Sequence, residues 1–393
     1  MILKPRLLDA RPNSTYFLHS PCGQAWRKDF GAAERAARAD AIKGDFKLVK
    51  FGYYILNTYV PELDGESPEL YSHWLEQIDA AEALGFDSLW VTEHHFRHFG
   101  GMMPSPQMML AAAAQRTKRL RLGSAVTILP MHNPLRIAEE FAIVDLLSNG
   151  RLNFGAGRGM HLLEYAVFGY DWNNAQTRLP EALDIVVRAW TGGEFEWSGK
   201  FYRFPKLNVL PKPFQKPHPP IYITANRDPE SFEMIGRRGH HLMTLPWLFT
   251  NELQRTRVEQ YFNALRAGGH KVADKDVFVM YPAYIGSSDA QARSDVLEHW
   301  HRWRGFALEA LGLDPGKGEA YHRVVNHLDY DAMLRDSRGV FGGAETCARI
   351  LKRIIETVGP THIGLVFHFG GLSQDKVLKS MERCARQVIP ALR

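Results

Sequence analysis

The sequence has 393 residues, of which 45% are hydrophobic and 23% are charged, a composition typical of a globular chain with one large domain or two ordinary ones. Its 48 basic and 43 acidic residues leave a net charge of +5 without a block of like charges, which argues against a nucleic-acid-binding tail. Three cysteines without a CxxC pair, and no apolar run of about 18 residues, argue against a disulfide framework, a thiolate metal site and a membrane span, so we expect a cytoplasmic protein.

Residues 1–46 are expected to form an N-terminal extension outside the pattern that follows. The stretch 31–44 is rich in alanine and predicts a short helix, whereas the residues before it contain prolines and glycines typical of irregular structure. We therefore place the boundary of the main domain at residue 47 and extend that domain to residue 393.

From residue 47 onward, strand-like and helix-like segments alternate. The predicted strands are 50–56, 86–93, 120–129, 151–157, 219–225, 241–246, 276–286 and 361–369. The predicted helices are 68–85, 105–117, 133–150, 178–190, one from 229, 251–267, one from 288, 344–358 and 374–388. Eight such units predict an α/β fold, a (β/α)₈ TIM barrel, with an open doubly wound sheet as the alternative.

Two segments interrupt this alternation. An excursion over 192–220, after the fourth helix, contains a predicted hairpin in FEWSGKFYRF, and the stretch 312–343 is predicted to be irregular. Because barrel enzymes place their active sites at the carboxyl ends of the strands, the candidate functional residues are those that follow each strand.

Glu93, His94 and His95 follow the second strand, in TEHHF. Neighbouring side chains of an extended chain point to opposite sides, so only one of the two histidines can face the barrel mouth fully. A Glu-His-His run also suggests a metal site, but adjacent ligands diverge and no other strand end supplies further carboxylates or thiolates. We therefore predict no metal here.

The fourth strand ends in NFGAGRGMH, residues 153–161. A dinucleotide-binding turn of the form GxGxxG would need glycine where Met160 stands, and this strand is not the first of an open sheet, so that interpretation fails. Gly155 and Gly157 either present bare backbone to a flat ligand or relieve crowding inside the barrel. Arg158 is a candidate partner for a phosphate.

The loop after the fifth strand, TANRDPES, runs into a helix with Pro229 and Ser231 in its first turn. Free amides at a helix N-terminus bind phosphate, and a phosphate site after a late strand recurs in barrels. Arg178, near the start of the helix after the fourth strand, either points to the same phosphate or is a solvated helix residue.

Taken together, these segments resemble the bacterial luciferase-like flavin monooxygenases, and among them the catalytic alpha subunit of luciferase. The resemblance covers residues 50–393 and is most specific over 86–159, with FDSLWVTEHHF and GSAVTILPMHNPLRIAEEFAIVDLLSNGRLNFGAGRG. It implies a barrel that binds reduced FMN supplied by a separate NAD(P)H:flavin reductase, or a deazaflavin in other branches. In the FMN branch, O₂ forms a C4a-peroxyflavin that oxygenates a small, often apolar, substrate.

The resemblance also implies residue roles. His94 would be the catalytic acid–base group, and Ala125 and Val126 would be joined by a cis peptide beneath the flavin ring. The implied cofactor-binding residues are Glu93, Ala125, Val126, Gly157, Arg158, Met160, Arg178, Ala225, Asn226, Arg227, Ser231 and Trp247. The expected substrate-pocket residues are Tyr54, Phe96, His161 and Tyr321, within a stretch 312–343 that corresponds to the family's mobile lid.

Two positions depart from the luciferase alpha subunit, which has cysteine in place of Gly157 and tyrosine in place of His161. We therefore expect oxygenation of an apolar or aromatic compound without light emission. The alternatives are a deazaflavin-dependent oxidoreductase and a non-catalytic flavin-binding subunit. A homodimer formed through the helices after strands 2 and 3 is also expected.

Overall fold

The computed structural model describes residues 48–56 and 58–393. The predicted extension 1–46, with its helix at 31–44, lies outside the described residues. The strands are β1 (Lys50–Ile55), β2 (Ser88–Val91), β3 (Arg121–Ser124), β4 (Thr127–Ile128), β5 (Leu152–Gly157), β6 (Phe195–Ser198), β7 (Arg203–Leu207), β8 (Ile221–Thr224), β9 (His241–Thr244), β10 (Val277–Ile285), β11 (Val340–Gly342) and β12 (His362–Val366).

Eight parallel strands close into a barrel in the order β1, β2, β3, β5, β8, β9, β10 and β12. Closure is made by β12 against β1, with Gly364 opposite Gly52, and by β10, which pairs with both β9 and β12. β4 continues the third position of the barrel and pairs with the end of β5. The predicted TIM barrel is confirmed, and every predicted barrel strand is present.

The helices surround the barrel. They are α1 (Pro61–Asp64), α2 (Ser67–Leu84), α3 (Pro106–Arg116), α4 (Pro134–Leu147), α5 (Leu162–Val167), α6 (Ala175–Thr191), α7 (Pro229–Arg237), α8 (Asn251–Ala267), α9 (Asp289–Ala310), α10 (Glu319–His327), α11 (Tyr330–Arg335), α12 (Ala344–Val358) and α13 (Gln374–Arg383). Local signals set several ends: Gly85 ends α2 in a left-handed conformation, and the Asn133 side chain accepts a hydrogen bond from the Leu135 amide at the start of α4.

The excursion after α6 contains the predicted hairpin, with β6 antiparallel to β7. The prediction that 312–343 is irregular is wrong, because this segment holds α10, α11 and the short strand β11, which pairs with β10. These elements span only three to nine residues, too few for a hydrophobic periodicity to stand out in the sequence.

Aromatic side chains fill the barrel interior. The Trp90 ring lies 4.5 Å from Phe278 and 5.0 Å from Tyr222, measured between ring centroids. Gly123 of β3 faces the same indole, and a side-chain carbon there would collide with it. The interior is therefore a packed core, which leaves the carboxyl ends of the strands as the place for chemistry. Within the described residues, no helix has the length and apolar character needed to cross a membrane.

Candidate active site

The peptide between Ala125 and Val126, at the mouth end of β3, is cis, as expected. Its carbonyl oxygen, on Ala125, accepts a 2.6 Å hydrogen bond from the Tyr54 hydroxyl, and the Ala125 amide donates to the Val91 carbonyl. Tyr54 is 2% exposed, and burial raises the pKa of its hydroxyl well above the usual value. The Tyr54 hydroxyl supports the Ala125–Val126 peptide, which forms a cis-peptide platform, from inside the barrel, and its place in a substrate pocket stays a prediction.

The two glycines at the end of β5 are required by crowding. A side-chain carbon on Gly155 would collide with the Ser124 carbonyl oxygen, and one on Gly157 would lie 2.6 Å from Val126 Cγ2. Of the two interpretations of these glycines, relief of crowding is sufficient for Gly155. At Gly157 the missing side chain makes room for Val126, which completes the platform.

His94 lies in the loop after β2 and contacts two residues that follow β5. Its Nδ1 is 3.5 Å from Glu164 Oε1, and its ring centroid is 4.9 Å from that of His161. Glu164 is fully buried, and its Oε1 also accepts a 2.9 Å hydrogen bond from the His95 amide. Burial opposes the charge of Glu164, but the hydrogen bond and charge of His94 lower its pKa overall, so the carboxylate stays ionised.

His161 is held by the end of α9. Its Nδ1 lies 3.0 Å from the Ala310 carbonyl oxygen, so Nδ1 carries the proton and Nε2 the lone pair. Burial, with a further contribution from the His94 charge, lowers the pKa of His161 to about 4. The ring is therefore neutral at physiological pH.

His95 turns to the other side of the chain, as the alternation argument predicted, and binds Glu93. Glu93 Oε1 accepts hydrogen bonds from His132 Nε2 at 2.6 Å and His95 Nε2 at 3.2 Å, and Oε2 accepts one from the Ile128 amide. Burial opposes ionisation, yet the charge and hydrogen bond of His132 bring the pKa of Glu93 down to about 2. Both oxygens are thus engaged within the protein, and a contact of Glu93 with the cofactor stays a prediction.

The two predicted phosphate arginines, Arg158 and Arg178, both lie near Tyr165. Their charges act on its hydroxyl, which donates a 2.6 Å hydrogen bond to the Arg158 carbonyl. The Arg178 guanidinium lies over the rings of Tyr170 and Tyr202, at 5.0 and 4.6 Å, and its Nε donates to the Tyr202 hydroxyl. Arg178 is therefore an oriented residue rather than a freely solvated one.

The loop after β8 is tied to its neighbours. The Ala225 amide donates to the Met243 carbonyl, Asn226 Oδ1 accepts from the Leu245 amide, and the Arg227 carbonyl accepts from Arg257 Nε. The Ser231 amide and hydroxyl both bond to the Asp228 carboxylate, which caps α7. The amide and hydroxyl of Ser231 are thus bonded to an acidic side chain, and the assignment of Ser231 to the cofactor phosphate stays a prediction.

Aromatic side chains cover the mouth beside His94. Trp247 and Trp303 pack edge to face with centroids 4.8 Å apart, and Phe99 links Trp303 to His94. The predicted Trp247 therefore lies among the covering residues, with its indole nitrogen unpartnered.

Three other predicted residues fall outside this cluster. Phe96 is 53% exposed and packs on Phe168, and its assignment to the substrate pocket stays a prediction. Met160 is partly exposed in the loop before α5, and Tyr321 is partly exposed on α10, where its ring contacts His322.

A model of the family described as luciferase-like monooxygenase matches residues 49–362. The chain belongs to the luciferase-like monooxygenase family.

Curated relatives agree with this placement. The chain is 27% identical over 358 residues to an alkanal monooxygenase alpha chain from the Kryptophanaron alfredi symbiont, covering 88% of this chain and 99% of that one. It is 31% identical over 332 residues to the oxygenase component of a flavin-dependent trigonelline monooxygenase from Acinetobacter baylyi, covering 82% and 90% of the two chains. A monooxygenase structure from Streptomyces bottropensis matches with a TM-score of 0.79 at 26% identity, over 88% of this chain and all of that one.

The mouth of this luciferase-like monooxygenase has features that fit a flavin. Val126 is partly exposed on the cis-peptide platform, and two buried hydroxyls beside it, Thr127 Oγ1 and Thr224 Oγ1, lack hydrogen-bond partners. A flat ring with polar edges would rest on the platform and form hydrogen bonds with these hydroxyls. Arg158 and Arg178 would suit an anionic tail.

Sequence reasoning missed three residues of this monooxygenase site: Glu164, His132 and Trp303. Glu164 lies three residues after His161 and His132 directly precedes the Asn133 cap, so both stood next to residues that the sequence had singled out. Trp303 lies in the middle of a long helix and carried no local signal.

Proposed function

We propose that this protein is the oxygenase component of a two-component system that uses reduced FMN and O₂ to oxygenate a small apolar or aromatic compound. The observation that carries the proposal is the His94–Glu164 pair, in which the buried carboxylate of Glu164 contacts His94 after β2, the strand that pairs with β3 and its terminal cis peptide. The bound flavin would supply two electrons to O₂ at its C4a position, so that one oxygen atom enters the substrate and the other leaves as water.

His94 is proposed to move the proton that this chemistry requires. A buried, ionised Glu164 next to Nδ1 favours a proton on that nitrogen, which leaves Nε2 as the exchanging atom. The residues Phe99, Trp247 and Trp303 would exclude water and favour an apolar or aromatic substrate. Arg158 and Arg178 are proposed to bind the FMN phosphate.

The choice of FMN over a deazaflavin rests on charge. A deazaflavin carries a long acidic tail, which would need more basic residues than the three proposed at the mouth. These are Arg158, Arg178 and Arg227, next to the acidic Asp228 that caps α7.

The separate reductase is supported by the name of the Acinetobacter baylyi relative, an oxygenase component. We also propose 47–393 as the catalytic domain, with 1–46 as a separate extension, in a cytoplasmic protein.

The test supplies FMN, NADH and a flavin reductase, mixes the reduced complex with O₂ and follows flavin absorbance by stopped flow. We expect an oxygen-dependent absorbance intermediate that decays on the addition of substrate. His94→Ala is expected to slow substrate oxygenation roughly 10²–10⁴-fold, the range for loss of a general acid–base group. The matched control is His322→Gln, which removes an exposed histidine of α10.

Two results would contradict the proposal. Tight binding of a reduced deazaflavin, with no response to O₂, would assign the protein to hydride transfer instead. Unchanged turnover by a folded His94→Ala variant would remove His94 from the chemistry.

A further inference from the structure

Three side chains from two loops meet beside the barrel mouth. His94 follows β2, His161 directly precedes α5, and Glu164 lies in the first turn of α5. One nitrogen or oxygen atom from each residue lies within 4.8 Å of the other two. Two imidazoles and one carboxylate thus converge on a single point.

His94 Nδ1 meets only Glu164 Oε1, at an ion-pair distance of 3.5 Å, and His161 Nε2 and Glu164 Oε2 have no hydrogen-bond partner. The exposed fractions of His94, His161 and Glu164 are 9%, 2% and 0%, respectively. An unpaired buried polar atom is unfavourable, so two of them in one cluster indicate that the cluster suits an occupant. The occupant must be small, because all three atoms are almost inaccessible to solvent.

Neighbouring groups orient these atoms in the way that metal sites require. His161 Nδ1 donates to the Ala310 carbonyl, which fixes the free lone pair on Nε2. Glu164 Oε1 accepts a hydrogen bond from the His95 amide and lies 3.5 Å from His94 Nδ1, while Oε2 is buried without a partner. Backbone groups that hold the outer atoms of imidazole and carboxylate ligands are typical of protein metal sites.

We propose that His94, His161 and Glu164 bind one divalent transition-metal ion, of the class of Zn²⁺ or Co²⁺. Nitrogen and carboxylate donors suit these ions, with one or more further positions left for solvent. An ion about 2.1 Å from each donor needs donor separations of about 3.0–3.5 Å, so donor atoms that lie up to 4.8 Å apart must approach each other by about 1.3–1.8 Å when the ion binds.

This cluster differs from the Glu93–His94–His95 run that the sequence presented. The structure turns Glu93 and His95 away from His94 and engages both Glu93 oxygens with His132, His95 and a backbone amide. Only His94 is shared. An ion on His94 Nδ1 would fix the ring proton on Nε2, so metal binding would inhibit any proton transfer by His94.

The test uses the untagged full-length protein, treated with chelator and then titrated with Co²⁺ in the absence of flavin. Visible absorption of protein-bound Co²⁺ and calorimetry are expected to give one site per chain. His161→Phe and Glu164→Gln are each expected to weaken Co²⁺ binding at least about 10- to 100-fold, the effect of losing even an outer partner of a metal site. Circular dichroism and thermal melts verify that both variants fold.

His301→Gln is the matched control, since it removes a histidine of α9 outside the cluster, and it should leave binding unchanged. The proposal is overturned if the wild-type protein gives no Co²⁺ absorption, or if both folded variants bind Co²⁺ like the wild type; the three atoms would then serve only water or a proton. Because no flavin or oxygen is present, this result is independent of the oxygenase test.

Discussion

Arg178 shows how a single residue gains a role from its surroundings. Its guanidinium is stacked by Tyr170 and Tyr202 and bonded through Nε to the Tyr202 hydroxyl, which also donates to the His132 carbonyl. These contacts fix the orientation of a planar cation, the condition for a directed bond to a phosphate. The hairpin residue Tyr202 thereby links the predicted phosphate end of the site to the Glu93 cluster.

We predict that Arg178→Gln raises the dissociation constant of FMN about 10- to 100-fold, the effect of losing a hydrogen bond to a charged group. Riboflavin lacks the phosphate, so its affinity should be unchanged. Fluorescence titration with both flavins measures the difference. Arg188→Gln, on the same helix but next to Phe195, is the control; equal losses for FMN and riboflavin in Arg178→Gln would contradict the assignment.

The elements that cover the site are α9 and the segment from α10 to β11. The start of this cover is held by the barrel loops, through Phe99 against Trp303 and His161 against the Ala310 carbonyl. Its far end is held by Arg338, which is fully buried and donates to the carbonyls of Trp247 and His327. The cover is thus anchored at both ends.

We predict that Arg338→Met destabilises this segment by about 2 kcal/mol, because two buried carbonyls lose their donor. Hydrogen exchange should accelerate over 319–335, whereas the barrel strands keep their protection. Arg335→Met is the control, since Arg335 pairs with the same Asp336 but is exposed. Equal exchange in both variants would show that Arg338 does not anchor the cover.

At the scale of the whole molecule, buried histidines make the fold sensitive to acid. Burial lowers the pKa of His161 and His327 to about 4 and of His362 to about 3. The usual value is about 6.5, so the unfolded chain binds more protons than the folded one as the pH falls below it. The contribution of these neutral histidines to the free energy of unfolding is complete above pH 6.5 and is lost progressively as the pH falls toward 4. His132 acts in the opposite sense, since Glu93, despite the opposing effect of burial, raises its pKa.

We predict that the free energy of unfolding falls between pH 7 and pH 5 by roughly 2 kcal/mol for each of these three histidines. Urea unfolding at the two pH values measures it. His327→Gln should reduce the pH dependence, whereas His322→Gln, on the exposed side of the same helix, should not. A stability that stays constant to pH 5 would contradict the shifts.

Exposed apolar side chains on two neighbouring helices support the proposed homodimer. Met108 on α3 is 74% exposed, and Ile143, Leu146 and Leu147 on α4 are 40–45% exposed. Exposed apolar side chains on one side of a protein are typical of a subunit interface, so the homodimer is proposed to form here. We expect Ile143→Glu to raise the dimer dissociation constant at least about tenfold, since it would bury an unpaired charge.

Analytical ultracentrifugation measures the assembly state of this variant. Leu210→Glu, which alters an exposed leucine after the hairpin, is the control. A wild-type protein that sediments as a monomer at micromolar concentration would contradict the dimer.

The sequence by itself determined the barrel, because its signals are local. Alternating apolar runs, the left-handed Gly85 and the Asn133 cap each act within a few residues, and eight repeats of the unit leave few topologies. Short elements such as α10 and β11 were missed, because nine or three residues carry too little local pattern to stand out.

Only the tertiary structure decided which side chains meet. Glu164 reaches His94 across 70 positions of the chain, His161 depends on a carbonyl 149 positions away, and the Tyr54 hydroxyl is taken by Ala125. Whether a polar atom is paired, buried or free depends on the packing of distant elements, which no local pattern records. Closure of the barrel brings these loops to one rim. There some of the side chains that the sequence singled out support others, some are exposed at the surface, and some contact His94.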